Sequence, residues 1–214
     1  YKSLQTIRDY GAVCPNGLSI HWDKSVCNGY QNCIQCSIKC FLRSENKLKS
    51  GWQWFCFKRR KSVRRRSIRK FACPSQMLTD YCNHQGMPTV CINNPFDFLI
   101  LDKMKIEKRT NFEKKIYLYY GQIVEHKGVR QMIQAFDEFA KDKDDVELQL
   151  LGRLPAEYEP ILNHLLTEYG NGKIRYLGVL PYEETIKYLS GVYAVVIPSL
   201  WIENYPNTAL EAAC

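Results

Sequence analysis

Two glutamates near the end of the chain are the residues whose type and spacing point most directly to chemistry. Glu203 and Glu211 lie eight positions apart, after an apolar run over residues 192–199 that is typical of a buried strand. Glu203 is therefore expected at a strand's carboxyl end and Glu211 on the helix that follows. Ligands of open α/β sheets bind at that edge, where two carboxylates can accept hydrogen bonds from two sugar rings of one ligand. The same spacing is also common on solvated helix faces.

Three further residues have the chemistry to bind the anionic part of such a ligand. Lys127 follows a short strand and begins the helix expected at residues 127–140, and an ammonium near a positive helix end suits a diphosphate. Asn207 and Thr208 begin the helix of Glu211, where N–H groups and a hydroxyl can bind an anion. The alternatives are a solvated lysine in a first turn and ordinary helix capping.

Strands and helices alternate along the second half of the chain, which is the arrangement needed to position these side chains. Apolar runs and helical spacing of apolar residues favour a parallel sheet with covering helices. The predicted strands are residues 116–120, 146–151, 174–177 and 192–197, and the predicted helices are residues 127–140, 161–169 and 181–190.

The first half of the chain is less regular, but five elements can be predicted. Ser75 is expected to cap a helix because serine oxygens accept hydrogen bonds from the first free N–H groups. The predicted strands are residues 4–7, 71–73 and 89–92, and the predicted helices are residues 51–69 and 76–84.

Four segments of the second half occur in an order and at a spacing that resemble a known family. They are YGQIVEHKG at 120–128, LLG at 150–152, YLGVL at 176–180, and IPSL at 197–200 running into the two-glutamate segment. Together they resemble the carboxyl-terminal domain of the retaining glycosyltransferases of family four, the group 1 glycosyltransferases, which have the GT-B fold.

The resemblance implies an α/β fold of the GT-B type with two Rossmann-like lobes, parallel sheets and flanking helices, both lobes being incomplete. Residues 1–97 are then the later half of the amino-terminal, acceptor-side lobe, because CPS at 73–75, GMP at 86–88 and NNPFD at 93–97 resemble its end. Residues 98–114 are the expected linker, and residues 115–214 are a truncated nucleotide-sugar lobe. A fragment is expected because the chain begins at Tyr1 and stops within a helical pattern.

The resemblance also assigns roles to the residues of the donor site. The position of Glu203, the expected catalytic residue, contacts hydroxyls of the donor sugar, that of Glu211 contacts the ribose hydroxyls, and that of Lys127 contacts the diphosphate. The backbone from Asn204 to Asn207 lies against sugar and phosphate. The donor-side residues are Gln122, Lys127, Glu203, Asn204, Tyr205, Asn207, Thr208 and Glu211.

The chain departs from the family pattern at three working positions. Gln122 stands where an arginine is usual and lacks its charge and bidentate fork. Tyr205-Pro206 replaces a common Phe-Gly, which predicts a stiffer loop. Arg8, on the acceptor side, stands where relatives often have a histidine, and arginine cannot act as a base near neutral pH.

The activity that the resemblance implies is transfer of a sugar, with retention, from a nucleotide-sugar to a glycan or lipid-linked acceptor in cell-surface polysaccharide synthesis. The family needs no cofactor and no metal, and the donor is a substrate. No signal peptide or apolar run of membrane-spanning length is present, and a cytoplasmic protein is expected. Because many enzymes of the family act on lipid-linked acceptors, the resemblance also fits peripheral contact with the inner face of the membrane. The alternative from the departures above is an inactive remnant that still binds nucleotide-sugars.

Charge is distributed unevenly, since residues 1–110 carry a net charge of +13 and residues 111–214 one of −5. Residues 58–70 hold nine Lys and Arg, preceded by the aromatic residues Trp52, Trp54, Phe55 and Phe57. The segment 52–70 is therefore a candidate for contact with an anionic membrane, with a solvated basic helix as the plain alternative and nucleic-acid binding as the third.

Cysteine is concentrated in the same part of the chain, with nine of the ten in residues 14–91. Without a secretory signal these are expected to be reduced thiols. A structural zinc held by thiolates and a few disulfides are the alternatives, and free or packed thiols in a loop are the plain reading. The four candidate ligands are Cys27, Cys33, Cys36 and Cys40.

Overall fold

The computed structural model describes residues 3–15, 17–20, 25–27, 36, 38–39, 47–107 and 109–214. The chain divides into two compact units. The first unit contains residues Tyr1–Pro95 and Trp201–Tyr205, and the second contains Phe96–Leu200 and Pro206–Cys214. The short segment 201–205 thus belongs to the first unit although its neighbours on both sides belong to the second.

The first unit is built on a parallel sheet of three strands in the order β1-β2-β3. Its strands are β1 (Leu4–Thr6), β2 (Lys70–Cys73) and β3 (Thr89–Cys91), and its helices are α1 (Lys47–Ser67) and α2 (Gln76–His84). The three strands and the two helices were all predicted, and α1 begins four residues earlier than expected. Ser75 caps α2 as predicted, since its hydroxyl accepts a hydrogen bond from the Leu78 N–H at 3.2 Å.

Apolar side chains from these elements form one core in the first unit. Phe71 and Cys73 from β2 and Leu78 and Cys82 from α2 are fully buried there. Ile7, Tyr10 and Met87 complete the same cluster, and Trp201 and Ile202 pack against it. Because Trp201 and Ile202 bury apolar surface here, the hydrophobic effect holds the segment 201–205 to this unit.

The second unit is an α/β layer structure whose parallel sheet has the strand order β6-β5-β4-β7. The predicted alternation of strands and helices is confirmed. The elements are α3 (Ile100–Met104), β4 (Lys115–Tyr120), α4 (Val129–Ala140), β5 (Val146–Leu151), α5 (Glu159–Glu168), β6 (Ile174–Gly178), α6 (Tyr182–Leu189), β7 (Ala194–Val196) and α7 (Asn207–Ala213).

Both faces of this sheet are covered, as parallel sheets require. Tyr119 and Leu150 pack on one face with apolar residues of α4 and α5. Their neighbours Leu118 and Leu151 point to the other face and pack with α6, where Ile100 and Met104 of α3 join them. The segment 98–114, expected as a linker, therefore contributes a helix to this core, and the predicted boundaries at 97/98 and 114/115 stay predictions.

Two predicted elements differ from the structure. The helix expected at 127–140 begins at Val129, because Gly128 adopts a left-handed φ of 72° and separates it from a 3₁₀ turn at Glu125–Lys127. The buried strand expected at 192–197 is the three-residue β7, which is only half-buried. Strand β7 stands at the end of the strand order and pairs with β4 on one side, so it needs fewer apolar contacts than a central strand.

Candidate functional site

Two glycines bring the loops after β4 and β5 together at the carboxyl edge of the second unit's sheet. The Gly121 N–H donates to the Leu151 carbonyl and the Ile123 N–H donates to the Arg153 carbonyl, both at 2.9 Å. A Cβ added to Gly152 would lie 2.0 Å from the Gly121 carbonyl oxygen. These loops therefore run main chain against main chain, and Gly152 leaves no room for a side chain.

Lys127 lies on a turn that is packed just as closely against the loop after β7. A Cβ at Gly128 would lie 2.0 Å from the Pro198 carbonyl oxygen, and the Leu200 N–H donates to the His126 carbonyl at 3.0 Å. Lys127 is half-buried. The prediction that Lys127 begins an α-helix is wrong, because it ends the 3₁₀ turn that precedes Gly128 and α4.

Gln122 and Arg153 stand on the two adjoining loops after β4 and β5. Gln122 and Arg153 are both exposed. The main-chain carbonyl of Gln122 accepts a hydrogen bond from the Tyr119 hydroxyl at 2.6 Å, which fixes the loop through its backbone and does not engage the Gln122 amide. Within the part of the chain that the structure describes, the Arg153 guanidinium makes no hydrogen bond or ion pair. Sequence reasoning missed Arg153, although its place directly after a glycine at a strand end was a usable signal.

The start of α7 is tied to the end of β4. The Thr208 hydroxyl donates to the Tyr120 carbonyl at 3.3 Å, which places this helix start at the carboxyl edge of the sheet. Helix capping by Asn207 or Thr208, the alternative to anion binding, is not found, because Pro206 occupies the N-cap position and no side chain caps the helix. Asn207 is exposed.

Glu211 is the most unusual carboxylate of the second unit. The Tyr182 hydroxyl donates a hydrogen bond to this carboxylate, but its Oε2 atom is buried and has no hydrogen-bond partner among the described residues. Burial raises the pKa of Glu211, and the hydrogen bond from Tyr182 only partly opposes that. Burial, and then the charge of Glu211, also raise the pKa of Tyr120 and of Tyr182. A buried acceptor without a donor is costly, so the site suits a ligand that supplies a hydroxyl.

Glu203 lies in the first unit, within the segment 201–205. It follows the end of β7 by seven residues, so the prediction that it sits at a strand's carboxyl end is wrong. The Trp201 indole N–H donates to Glu203 Oε1 at 3.0 Å, and the Trp201 ring packs edge-on against Tyr10 with centroids 6.1 Å apart. Glu203 is thus oriented by a tryptophan that is itself held in the core.

Asn204 fixes the same segment through both ends of its amide. Its Nδ2 donates to the Arg8 carbonyl at 2.8 Å, and its Oδ1 accepts a hydrogen bond from the Ser75 hydroxyl. The next residue, Tyr205, has a left-handed φ of 65°, which is strained for a residue with a side chain and disfavoured before Pro206. The Asn204 side chain therefore connects the segment to the main chain of Arg8, and the Arg8 side chain is exposed.

Tyr10 carries a second buried side-chain oxygen that has no hydrogen-bond partner among the described residues. Its side chain is 1% exposed, and its hydroxyl makes no hydrogen bond within the residues that the structure describes. Burial raises the pKa of Tyr10 to about 12, with Cys82 and then Glu203 adding to the effect. The hydroxyl is therefore neutral at physiological pH and remains able to donate.

The predicted site residues divide between the two units. The second unit holds Gln122, Lys127, Asn207, Thr208 and Glu211, and the first holds Arg8, Glu203, Asn204 and Tyr205. Within the second unit, the loops after β4, β5 and β7 and the start of α7 share one edge of the sheet. Within the first unit, Arg8, Asn204 and Ser75 are in direct contact.

Two of the four cysteines of the zinc alternative lie among the described residues. Cys33 and Cys40 lie outside the described residues, whereas Cys27 is buried and Cys36 is half-buried. Among the described residues, no group of three or more His, Cys, Asp or Glu side chains is arranged to hold a metal ion.

Comparison with solved structures shows the same fold in several glycosyltransferases. A point mutant of Staphylococcus aureus TarM, in complex with fondaparinux, alpha-GlcNAc-glycerol and UDP, matches 73% of this chain with 14% identity and a TM-score of 0.59. Anabaena HepE in complex with UDP matches 73% with 16% identity and a TM-score of 0.58. A UDP-forming trehalose-phosphate synthase from Burkholderia vietnamiensis matches 79% with 9% identity and a TM-score of 0.54.

These matches cover 30%, 46% and 46% of the three relatives, so the chain spans less than half of their length. They show the fold, which is α/β of the GT-B type as predicted, in a partial match. No curated protein matches the chain.

The family is shown by a match that does not depend on these structures. Residues 102–214, more than half of the chain, match the sequence model of the family described as glycosyl transferases group 1. The matched region contains all the second-unit loops described above, together with Glu203. This chain therefore belongs to the group 1 glycosyl transferases.

Proposed function

We propose that this chain provides the donor site of a retaining glycosyltransferase, which transfers a sugar from a nucleotide-sugar to a glycan or lipid-linked acceptor in cell-surface polysaccharide synthesis. The single observation that carries the proposal is the buried, unpartnered Oε2 of Glu211 at the ligand-binding edge of a parallel sheet, among the residues that the structure describes. The family membership supports the reaction class. The cytoplasmic location and the peripheral association with the membrane stay predictions.

Glu211 binds the ribose of the donor in this proposal. A carboxylate that has lost water on burial regains the lost hydrogen bonds when ribose hydroxyls donate to it. Ligand binding therefore removes the penalty that raises the pKa of Glu211 in the free protein. The hydrogen bond from the Thr208 hydroxyl to the end of β4 keeps the helix that carries Glu211 at this edge.

The diphosphate is bound by cations on the loops after β4 and β5. Lys127 supplies an ammonium from the turn after β4, and Arg153 supplies a guanidinium from the loop that is bonded to Ile123. Arg153 replaces the charge that Gln122 lacks, since its main chain lies beside the loop of Gln122. A guanidinium can bind two phosphate oxygens at once, which a glutamine amide cannot.

Glu203 binds hydroxyls of the donor sugar. The Trp201 indole donates to one of its oxygens and holds the carboxylate in one orientation, as the positioning of a sugar ring requires. Asn204 and Tyr205 shape the main chain beside it.

The reaction in this proposal needs no covalent intermediate with the protein. The acceptor oxygen forms a bond to the anomeric carbon, the bond from that carbon to the diphosphate oxygen breaks, and the acceptor proton leaves to the diphosphate or to water. Negative charge builds on the departing diphosphate, and Lys127 and Arg153 stabilise it.

A second candidate is a protein that binds nucleotide-sugars without transferring the sugar. Arg8 and Gln122, at positions where the family pattern has a histidine and an arginine, favour it. Binding without product formation, in a full-length protein supplied with acceptor, distinguishes it from the first.

Calorimetric titration of UDP, GDP, ADP and their sugar conjugates tests the donor site. We expect Glu211→Ala and Lys127→Ala to weaken binding of nucleotide and conjugate alike, by about ten-fold or more. Glu203→Ala should weaken binding of the conjugate alone. UDP is the first nucleotide to test, because the TarM and HepE structures contain it.

Glu138→Ala is the matched control, because Glu138 is an exposed glutamate of α4 that pairs at the surface with Lys141. It should bind as the wild type does. Equal affinity of the wild type and all three site variants for every conjugate would contradict the assignment.

A further inference from the structure

Helix α1 carries a continuous row of exposed apolar and basic side chains, here called the α1 stripe. Its members follow one another at intervals of three or four residues, which places them on one face of a helix. The α1 stripe consists of Leu48, Trp52, Phe55, Arg59, Val63 and Arg66. Leu48, Trp52, Phe55 and Val63 are 90%, 67%, 52% and 54% exposed, and the Trp52 and Phe55 rings stack with centroids 5.9 Å apart.

Residues on the other side of α1 attach the helix to its unit. Lys61 Nζ donates to the side-chain oxygen of Gln85 at 2.7 Å, and the Arg65 guanidinium lies against the backbone of Gly86. Lys61 follows Trp52 by nine residues, which is half a turn around the helix. The α1 stripe therefore points away from the described side chains that hold α1 in place. Phe57, predicted to insert at an interface, is half-buried and does not belong to the stripe.

The charge around the α1 stripe has one sign only. Residues 47–70 contain eleven Lys and Arg and no Asp or Glu. Three of the arginines, together with Cys56 and Val63, line an open groove of about 400 Å³: Arg59, Arg60 and Arg64. The lining of this groove is mostly apolar, and the guanidinium groups of its arginines can each bind two phosphate oxygens beside it.

We propose that the α1 stripe docks on an anionic lipid surface, with its apolar side chains at the boundary between headgroups and acyl chains and its arginines on lipid phosphates. A helix of 21 residues is about 31 Å long, so the row fits a flat surface along its whole length. Leu48 and Val63 have no ring to stack on a base, and their exposure favours lipid over nucleic acid. In the part of the chain that the structure describes, no helix is both long and apolar enough to span a membrane.

This inference does not depend on the proposed sugar transfer, because it rests on the surface of α1 alone. Sedimentation with vesicles tests it on the whole chain. Binding is expected to vesicles of equal parts phosphatidylglycerol and phosphatidylcholine, to weaken with salt, and to be lost on vesicles of phosphatidylcholine alone.

Two pairs of substitutions separate the apolar from the ionic contribution. Trp52→Ser with Phe55→Ser should lower vesicle binding by about ten-fold or more, because two large apolar side chains no longer leave water. Arg59→Glu with Arg66→Glu should weaken the preference for phosphatidylglycerol, because the net charge of residues 47–70 falls from +11 to +7. All four side chains are exposed, and a thermal melt verifies that each variant is folded.

The matched control is Phe98→Ser with Leu99→Ser, which removes a similarly exposed apolar pair from the second unit and should leave binding unchanged. Equal binding to both kinds of vesicle, or no effect of either α1 pair, would overturn the proposal. Binding of a random oligonucleotide with no vesicle binding would overturn it in favour of a nucleic-acid surface.

Discussion

The two units fix the loops at the carboxyl ends of their strands by different means. In the second unit, Gly121 and Gly152 bring main chain against main chain. In the first unit, side chains reach across: Asn204 bonds to the Arg8 carbonyl and to Ser75, and Asn93 Nδ2 donates to the Pro74 carbonyl at 2.7 Å. A side chain added at such a glycine forces the two main chains apart. Substitution of Asn204 or Asn93 removes only the hydrogen bonds of that one side chain.

The largest effect on stability is expected at Gly152, where two main chains meet. Gly152→Ala places a methyl group 2.0 Å from the Gly121 carbonyl oxygen on a residue with a φ of 140°, so the two loops must separate. We expect the free energy of unfolding to fall by at least about 3 kcal/mol. Urea unfolding monitored by circular dichroism measures the change.

Gly172→Ala is the control for that substitution, because Gly172 also has a positive φ, of 78°, but nothing lies within 4 Å of an added Cβ. It should cost about 1 kcal/mol, the backbone strain alone. Equal losses in the two variants would show that strain, and not the contact between the loops, sets the requirement for glycine.

Glu211→Gln should separate binding from stability at the same edge. Nucleotide affinity should fall by about ten-fold or more, because an amide oxygen accepts ribose hydroxyls less strongly than a carboxylate does. The free energy of unfolding at neutral pH should rise, because the substitution removes a buried charge.

The free energy of unfolding of the wild type should depend on pH in a way that Glu211→Gln does not. Burial raises the pKa of Glu211 in the folded chain, so the folded state keeps its proton to higher pH than the unfolded state does. The penalty is absent below the unfolded-state pKa and grows as pH rises through the window between the two values. Unfolding measured across that window should show the wild type losing stability relative to Glu211→Gln, and a constant difference would contradict the assignment.

Arg153 stands on one of the two loops joined at Gly152, and its substitution tests the binding of the diphosphate there. Arg153→Ala should weaken nucleotide diphosphate binding by about ten-fold, since one guanidinium–phosphate contact is lost. Adding Gln122→Arg to that variant should restore affinity, because it returns a guanidinium to the adjoining loop. Calorimetry checks both, with Lys141→Ala, at the far end of α4, as the control cation.

An unchanged affinity in Arg153→Ala would remove Arg153 from the diphosphate site and leave Lys127 as its proposed cation. Failure of Gln122→Arg to restore a lost affinity would show that the two loops do not serve the same phosphate.

The smallest effect is expected in the first unit. Asn204→Ala removes two hydrogen bonds near the protein surface and should lower the free energy of unfolding by about 1 kcal/mol, while affinity for free nucleotide stays unchanged. Thermal melts together with calorimetry check both statements. Gln53→Ala, at an exposed amide of α1, is the control, and a loss as large as that of Gly152→Ala would erase the distinction between the units.

The same distinction explains what could be predicted from the sequence. The strands and helices follow from local apolar spacing, and the glycines at 121 and 152 stand within short motifs that follow strands. The bond between Ser75 and Asn204 joins residues far apart in the chain, and no local pattern indicates it. The burial of Glu211 and the edge position of β7 depend on strand order, which the sequence leaves open.

The strand order also has a consequence for the time course of folding. Leu118 of β4 pairs with Gln149 of β5 and with Val195 of β7, which is much farther along the chain. Pairing β4 with β7 closes a longer loop than pairing β4 with β5, and the additional loss of chain entropy costs about 0.8 kcal/mol. Strand β7 has only three residues with which to compensate for that cost. We therefore expect β4 and β5 to associate early and β7 to join last. The loop after β7, whose Pro198 carbonyl packs against Gly128, would then become ordered in the final step, which makes it a late reporter of folding.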